Sequence, residues 1–556
     1  MTVTAAGQPA MDPEDGGLGA EPGGPGRGAA SVTNSAAARI AELRAQLMTP
    51  MPGDRLWGWI GPLLVTAFAA FLRFNRLSVP DAIIFDETYY VKDAWSILQH
   101  GVEWNPVKNS GLNQLIIAGH TNIFAACTGT GCGEYVVQPP VGKLLIAVGE
   151  WLYGLTTLGW RFAPAVVGTL AILVMCRVAR RMTRSTLLGC VAGLLLSLDG
   201  LEFVLSRTGI LDIFLMFFVL AAFGCLVVDR DVSRARLAEA VVLERFDQAG
   251  PGLGIRKWRV AAGILIGLAC ASKQYGAWYI PAFVGLCFAW DLGARRTVGL
   301  REYLRGALVK DGKWLPLTLG VIPLVTYVAT WSGWLLTSTG YDRNYAQLNG
   351  VSTPIFAPLY SLFEYHKEMV QFATGLNARH PYMSQPWDWF VITRPVAFYW
   401  SSYANAAGTQ VAKSGTTGPY VQEVLAIGNP LIWWASIPAI LFCLAWWLTR
   451  RDWRAGAAVL GVAAGWATWL PFVSRTKFYY YALEFEPFVI ICIVLCLGLI
   501  IGPATAALAR RLTGAAVAGV YVLAVLILFW YFYPVLAAKI IPYSDWLSHM
   551  WYSGWI

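Results

Sequence analysis

The sequence predicts an all-α polytopic membrane protein with about 11 transmembrane helices. Of its 556 residues, 56% are hydrophobic and only 13% are charged, whereas a soluble domain usually carries about 25% charged residues. Apolar runs long enough to cross a bilayer, roughly 17–25 residues each, recur along most of the chain. These two observations indicate that the chain folds in lipid.

The net charge of +9 comes from short basic clusters between the apolar runs, such as "RVARRMTR", "DRDVSRARLAE" and "LTRRDWR". Clusters of this kind orient membrane helices, because Lys and Arg are retained on the cytoplasmic side. No RNA- or DNA-binding pattern accompanies them. We therefore expect orientation charges and no nucleic-acid partner.

Residues 1–55 differ in composition from the rest of the chain. The stretch "GQPAMDPEDGGLGAEPGGPGRGAA" is rich in Gly, Pro, Ala and acidic residues and has almost nothing to bury. This composition is typical of a disordered segment, here a cytoplasmic tail. No secretory signal peptide is recognised at its start, so the first apolar run is expected to act as an uncleaved insertion signal.

The apolar runs that follow predict the spans. They cover 57–77, 160–180, 185–204, 209–228, 259–274, 276–292, 314–336, 429–449, 455–473, 483–503 and 513–533.

A further run at 141–157, "VGKLLIAVGEWLYGL", is short and carries Lys143 and Glu150. If it does not cross, every basic loop falls on the same side as the N-terminus, as the charge rule requires. We therefore predict an interfacial amphipathic helix there. The N-terminus is then cytoplasmic and the C-terminus extracytoplasmic, with two long outer segments at 78–159 and 337–428.

The first outer segment contains Cys127 and Cys132, in "AACTGTGCGEY". A disulfide between them fits an oxidising compartment. A zinc site does not fit, since this pair lacks the two further ligands of a structural site.

The same segment carries an adjacent acidic pair, Asp86 and Glu87, in "VPDAIIFDETYYVKDAW". On a helix, adjacent side chains point about 100° apart, so the two carboxylates cannot act symmetrically. One could serve as a base while the other positions a substrate. In the alternative reading, Asp86 is only the N-cap of a helix.

Cations lie at the predicted outer ends of several spans, and each alone fits a snorkelling anchor or a helix cap. Together with Asp86 they indicate an outward-facing cavity that holds a carboxylate and several positive charges. Such a cavity suits cleavage of a sugar–phosphate bond, since cations stabilise the leaving phosphate and a carboxylate deprotonates the attacking hydroxyl. No Gly-rich nucleotide-binding loop is evident, which favours a lipid-linked sugar donor. The cations are Arg161, Arg207, Lys273, Arg475 and Lys477.

Six stretches resemble, in order and spacing, the bacterial branch of the protein O-mannosyltransferases, especially the actinobacterial enzymes that use polyprenol-phosphate-mannose. They are "FDETYYVKDAWS", "QPPVGKLLIAVGEWL", "GWRFAPAVVGTL", "LSRTGILDIFLMFFVLAAF", "ASKQYGAWY" and "HPYMSQPWDWFVITRPVAFYW". The resemblance implies that residues 56–556 form a catalytic domain of glycosyltransferase family 39, with the GT-C fold.

This resemblance also implies residue roles. Asp86 would be the base that deprotonates a Ser or Thr hydroxyl, and Glu87 would help to hold acceptor or sugar. The reaction would invert the anomeric carbon, converting a β-linked lipid phosphomannose into an α-mannoside. The residues expected to contact the donor phosphate or the substrate are Arg161, Lys273, Arg207, Lys143, Gln138, His380, Tyr382 and Trp387.

Gln138 departs from the family pattern, which has His before Pro-Pro-x-Gly-Lys. Gln donates and accepts hydrogen bonds but does not titrate, so only a positioning role is expected.

The second outer segment holds His366, His380 and many aromatic residues. It reads either as an interfacial aromatic belt or as a lid over the substrates. The two histidines are too far apart in sequence to form a metal pair, so no obligatory metal is expected, and a divalent ion at the phosphate stays open.

The expected location is the bacterial plasma membrane, with a multi-pass chain and the active site on the extracytoplasmic face. The expected partners are the lipid-linked donor, membrane lipid, secreted Ser/Thr-containing acceptors and the Sec translocon. Two alternatives stay open. One is a GT-C transferase acting on a glycolipid or cell-wall polymer; the other is a transporter, which the absence of a visible internal repeat disfavours.

Overall fold

A computed structural model describes residues 26–124, 131–351, 353, 356–409 and 417–556. Across these residues the chain is mostly helical, with 22 α-helices and one three-stranded sheet.

The helices of the first half carry the acidic pair and the segment between the first two long spans. In chain order they are α1 (Gly26–Leu47), α2 (Trp57–Phe74), α3 (Glu87–His100), α4 (Leu112–Ile117), α5 (Val141–Tyr153), α6 (Thr157–Thr183), α7 (Thr186–Ser197), α8 (Gly200–Leu205), α9 (Asp212–Leu243), α10 (Lys257–Ser272) and α11 (Tyr279–Thr297).

The second half continues with a helical rod from 303 to 330 that contains two π-helical turns, Ala307–Asp311 and Leu317–Val321. Its helices are α12 (Tyr303–Gly306), α13 (Ile322–Thr330), α14 (Ser332–Leu336), α15 (Tyr345–Leu348), α16 (Phe356–Gly375), α17 (Pro386–Trp389), α18 (Pro430–Arg450), α19 (Trp453–Trp466), α20 (Glu486–Ile501), α21 (Leu508–Leu536) and α22 (Tyr543–His549).

Seven helical segments of the described residues are long and apolar enough to cross a membrane, and α7 and α20 are shorter apolar helices. Each predicted span coincides with one helix or, at 185–204 and 314–336, with consecutive helical segments, but α10 and α19 have only 16 and 14 residues. The multi-pass character is thereby confirmed, while the count of about 11 stays a prediction. The seven segments are α2, α6, α9, Gln274–Thr297, Tyr303–Thr330, α18 and α21.

Helix α5 occupies the run at 141–157, whose crossing is doubtful. Its 13 residues measure about 20 Å at about 1.5 Å per residue, short of a hydrocarbon core of about 30 Å. It packs against α3 and α6. The helix buries Lys143 and Glu150 and exposes Val148 and Trp151. This inverted amphipathic character suits contact with lipid, and the interfacial position stays a prediction.

The expectation of a disordered tail over 1–55 is wrong for residues 26–47, which form α1. Leu43 and Leu47 are buried against Leu237 and Ala238 of α9, and Arg44 forms an ion pair with Glu239. The reason is visible in "AAARIAELRAQL", where good helix formers place leucines four residues apart on one face. The first 25 residues lie outside the described part.

The all-α prediction is also wrong in one detail, because the segment 337–428 and the C-terminal region contribute strands to one sheet. Strands β1 (Val396–Tyr403) and β2 (Tyr420–Ala426) pair antiparallel, and β3 (Ile540–Pro542) pairs antiparallel with β2. β1 reads "VAFYWSSY", a run rich in aromatic residues that favour strands. The sheet connects the second outer segment to the C-terminal region.

Candidate active site

A cavity of about 530 Å³ lies beside the start of α3. Five segments that are distant in sequence contribute to its wall: the start of α3, residues 134–138, the end of α10, the end of α16 and residues 475–481. Apart from its tyrosines, its polar lining consists of Asp86, Asp93, Glu134, Gln138, Lys273, His380 and Arg475.

The two acidic neighbours point to different places, as the helical spacing predicts. The carboxylate of Glu87 is fully buried and accepts hydrogen bonds from Arg161 Nε at 2.8 Å, Gly209 N at 2.9 Å and Ile84 N at 2.9 Å. Asp86 instead lines the cavity. Asp86 occupies the N-cap position of α3, as the alternative reading expects, but its side chain makes no capping hydrogen bond, so capping does not account for this carboxylate.

The backbone before Asp86 directs it into the cavity. Phe85 has a φ of 45°, which is uncommon for a residue with a bulky side chain and needs support from its surroundings. The Phe85 ring stacks on Phe398 of β1 at 4.5 Å. The sheet therefore helps to fix the turn that presents Asp86.

The electrostatic surroundings make Asp86 a better base than an exposed aspartate. Burial, and to a smaller extent the charge of Asp212, raise its pKa to about 6, although Lys273 and a hydrogen bond from Tyr480 act in the opposite direction. The Tyr480 hydroxyl donates to Asp86 Oδ2 at 3.4 Å. A carboxylate with this pKa is ionised at neutral pH and has an increased affinity for a proton.

Lys273 stands at the end of α10 and faces the same cavity. Its Nζ donates to both carboxylate oxygens of Asp212 at 2.9 Å, and it lies 5.2 Å from the centre of the Tyr481 ring. Asp212 opens α9, so this ion pair joins two packed helices. The pair is neutral overall and holds the ammonium in a fixed position.

Arg475 is the cavity's other strong cation. Its donors go to the Ala373 carbonyl at 2.5 Å, the Thr476 carbonyl at 3.0 Å and the Tyr275 hydroxyl at 2.5 Å. Within the described ranges no carboxylate lies within ion-pair distance of it. Its charge is therefore not neutralised by a protein carboxylate, and it faces the cavity.

Arg161 and Arg207 do not line this cavity. Arg161 binds Glu87 and donates to the carbonyls of Pro80 and Ala82, both at 2.9 Å. Arg207 donates to the carbonyls of Arg73 and Asn75 at 2.6 and 2.7 Å. Both guanidinium groups thus hold the chain after α2 in place, an arrangement that does not support the expected phosphate contacts.

Lys143 does not line the cavity either, since its fully buried ammonium pairs with Glu103 and, at 3.7 Å, with Asp93, a residue of the cavity wall. Burial raises the pKa of Asp93 and of Glu134, which line the neighbouring wall. These two carboxyl groups consequently carry less negative charge than exposed ones and can also donate hydrogen bonds.

Of the remaining expected substrate residues, Gln138 and His380 line the cavity, whereas Tyr382 and Trp387 do not. The Trp387 side chain is 52% exposed. His366 lies in α16, where Tyr327 and the Leu362 carbonyl are its hydrogen-bond partners. These contacts do not test whether the second outer segment covers the substrates, so its function as a lid stays a prediction.

Tyr480, Glu134 and Asp93 were not expected at the site. Tyr480 belongs to "KFYYYALEF", directly after Arg475 and Lys477. A run of three tyrosines beside two cations at a predicted outer span end could have indicated it. Glu134 and Asp93 have no comparable sequence signal, because isolated acidic residues are common in outer segments.

Two further expectations concern cysteines and metals. Cys132 is buried and disulfide-bonded, but Cys127 lies outside the described residues, so their pairing stays a prediction.

Within the described part of the chain, no group of three or more His, Cys, Asp or Glu residues is arranged to hold a metal ion. The prediction about metal dependence is not tested by this geometry.

Comparison with known proteins gives concordant results over nearly the whole chain. The family model "Dolichyl-phosphate-mannose-protein mannosyltransferase" matches residues 63–332, and "C-terminal four TMM region of protein-O-mannosyltransferase" matches residues 358–555. The polyprenol-phosphate-mannose–protein mannosyltransferase of Mycolicibacterium smegmatis (strain MKD8) is 36% identical, over 91% of this chain and 94% of the relative. The enzyme of that name from Corynebacterium glutamicum is 31% identical, over 88% and 92%.

The fold is similar to that of the S. cerevisiae protein O-mannosyltransferase Pmt1-Pmt2 complex bound to the sugar donor. The TM-score is 0.65 with 14% identity, over 93% of this chain and 94% of that chain. This similarity shows the expected GT-C fold. Two family models match in succession, and a curated relative is 36% identical over 91% of this chain; this chain therefore belongs to the protein O-mannosyltransferase family.

Proposed function

We propose that this protein transfers mannose from polyprenyl-phosphate-mannose to Ser or Thr hydroxyls of secreted proteins. The observation that carries the proposal is a single cavity with a carboxylate free of ion pairs, Asp86, and a cation free of carboxylate partners, Arg475, within the described residues. One group suits removal of a proton, and the other suits stabilisation of a phosphate.

The proposed chemistry is one displacement. The acceptor hydroxyl oxygen attacks C1 of the mannose, the bond between C1 and the phosphate oxygen breaks, and the electron pair leaves with the lipid phosphate. Asp86 accepts the hydroxyl proton. Attack from the face opposite the phosphate converts a β-linked donor into an α-mannoside, which is the inverting outcome implied by the family resemblance.

Arg475 and Lys273 are the proposed phosphate ligands. Arg475 keeps its full charge, while Asp212 holds Lys273 in position at the cavity wall. A planar guanidinium matches two phosphate oxygens, and the ammonium adds a second point of positive charge. Gln138 and the wall formed by Asp93 and Glu134 are available for the hydroxyl groups of the sugar or acceptor.

Replacing Arg475 by Met should raise the KM for the lipid donor by about 10- to 100-fold, because a hydrogen bond to a charged group contributes about 1.5–3 kcal/mol. Arg379→Met is the matched control, since this exposed arginine precedes His380 but does not line the cavity. Initial rates at varied donor concentration measure the effect. Equal KM values for the two variants would remove Arg475 from the phosphate site.

The rate should depend on pH through Asp86. Its pKa is raised to about 6, so the carboxylate becomes protonated and loses its function as pH falls through that value. We expect kcat/KM to be about tenfold lower at pH 5 than at pH 8. Enzyme returned from pH 5 to pH 8 should regain its rate, which separates titration from unfolding. A flat profile over this range would contradict the assignment.

We also propose that the cavity opens on the extracytoplasmic face of the bacterial plasma membrane, with about 11 spans, a cytoplasmic N-terminus and an extracytoplasmic C-terminus. The distribution of Lys and Arg between spans supports this orientation. Acceptor supply by the Sec translocon stays a prediction.

Transfer of label from radioactive polyprenyl-phosphate-mannose to a Thr-rich peptide tests the function in membranes that contain this chain. Label in the peptide supports protein O-mannosylation. Label in glycolipid alone would instead favour the alternative transferase activity.

A further inference from the structure

A second cavity, of about 360 Å³, lies beside α9, the helix whose first residue, Asp212, binds Lys273 of the candidate active site. It is bounded by the end of α1, the junction of α6 and α7, the middle of α9 and the start of α19. Arg230 follows Asp212 by 18 residues within α9, which corresponds to about 27 Å along the helix. The two cavities are therefore separated by about the thickness of a hydrocarbon core, about 30 Å.

Four arginines line this second cavity, which we call the arginine pocket: Arg184, Arg230, Arg234 and Arg454. Three arginines share the carboxylate of Asp231. Its Oδ2 accepts hydrogen bonds from Arg181 at 2.9 Å and from Arg184 at 3.0 Å. Its Oδ1 accepts from Arg230 at 3.3 Å.

The lining also contains Asp452, whose carboxylate binds Arg454 at 2.7 Å. The four lining arginines and Arg181 thus share two carboxylates, an excess of three positive charges at this end of the bundle.

Two of these arginines retain unused hydrogen-bond donors. Arg230 is only 4% exposed, and its guanidinium lies over the Trp453 ring at 3.7 Å. Arg234 donates to the Leu47 carbonyl at 2.7 Å, and no carboxylate of the described ranges lies within ion-pair distance of it. The Nε atoms of both Arg230 and Arg234 are buried without a hydrogen-bond partner in the described structure.

The nearest other acids do not neutralise the pocket. Asp229 and Asp291 already bind Arg256 at 2.5 and 2.8 Å and also pair with Arg259. The charges of these two acids and two arginines therefore cancel. A buried excess of like charge is costly unless an ion of opposite charge compensates it. Of the four lining arginines, Arg230 is the buried one, so a compensating anion would stabilise the pocket mainly around its guanidinium.

We propose that the arginine pocket binds a phosphate-bearing anion. Several planar guanidinium groups around one concave site match the oxygens of a phosphate. The pocket lies where the helices reach one membrane surface, and basic pockets between transmembrane helices suit anionic lipid headgroups. The charges of "DRDVSRARLAE" and "LTRRDWR" thus form a binding site in addition to orienting the chain.

Two sources can supply this chemistry, an anionic phospholipid headgroup and free phosphate. Purified full-length protein is reconstituted in nanodiscs of phosphatidylcholine, or of phosphatidylcholine with phosphatidylglycerol, and retained lipid is measured by native mass spectrometry. In a second arm, the thermal midpoint in phosphatidylcholine nanodiscs is measured with and without millimolar inorganic phosphate at constant ionic strength.

The test variant is Arg230→Gln with Arg234→Gln, and the matched control is Arg236→Gln, an exposed position on the same helix. We expect the wild type and the control to retain phosphatidylglycerol over phosphatidylcholine by about tenfold, and the double variant to lose that preference. Arg234→Lys keeps the charge and should keep part of the preference, which separates charge loss from misfolding.

Selective retention of phosphatidylglycerol identifies the lipid headgroup as the source. A midpoint raised by inorganic phosphate in the wild type but not in the double variant, without lipid selection, identifies free phosphate. A wild type that shows neither response overturns the proposal, whatever the variants do.

Discussion

Replacing Asp86 by Asn should lower kcat for mannosyl transfer by about 10²–10⁴-fold, the usual contribution of a general base. Asn keeps the size and one hydrogen-bond acceptor but cannot accept the proton of the attacking hydroxyl. The donor KM should change little, because the proposed phosphate ligands are Arg475 and Lys273. Initial rates of label transfer to a Thr-containing peptide measure both quantities.

Asp81→Asn is the matched control for this substitution. Asp81 lies in the same segment, is exposed and accepts a hydrogen bond from Thr157, but it does not line the cavity. Its loss should change the rate by no more than about twofold, as for an ordinary surface position. Equal rates for the Asp86 and Asp81 variants would contradict the base assignment.

The second large effect is on stability. Arg161→Ala leaves the Glu87 carboxylate buried without its cation and frees the Pro80 and Ala82 carbonyls. Breaking a buried ion pair by removing one partner costs about 3–5 kcal/mol. We expect a lower thermal midpoint in detergent and less folded protein in the membrane, both measurable by fluorescence-detected size-exclusion chromatography after heating.

The double variant Glu87→Gln with Arg161→Met removes both charges and should recover part of the lost stability, because no uncompensated ion remains. Arg379→Ala, at an exposed position, serves as the surface control. If Arg161→Ala instead kept the wild-type midpoint and raised only the donor KM, Arg161 would be a phosphate ligand, as the family resemblance implies.

Much of the membrane architecture could be predicted from the sequence, because the free energy of burying a span in lipid depends on local composition. Each predicted apolar run is helical, although 185–204 and 314–336 are divided into consecutive helical segments. The short run at 141–157 was distinguished by its two ionisable residues, Lys143 and Glu150, which α5 turns into the protein.

The roles of individual cations could not be predicted in the same way. Arg161 and Arg475 look alike in sequence, since both stand at predicted outer ends of spans. Glu87 and backbone carbonyls surround Arg161, whereas neutral acceptors and the cavity surround Arg475. Only the tertiary arrangement decides which guanidinium retains an unpaired charge.

Strand β3 shows the same limitation, because its three residues pair with a strand more than one hundred positions away. No local pattern indicates such a pairing. Helix α1 is a different case, since its leucine spacing was present in the sequence. The Gly- and Pro-rich composition of the preceding residues concealed it.

We infer that Asp86 is the general base in an inverting transfer of mannose to protein hydroxyl groups. The most direct measurement is the anomeric configuration of the product formed from β-linked polyprenyl-phosphate-mannose and a Thr-containing peptide, determined by sensitivity to α-mannosidase. We expect an α-mannosyl peptide from the wild type and from Asp81→Asn, with almost none from Asp86→Asn. A β-linked product, or label confined to lipid, would contradict it.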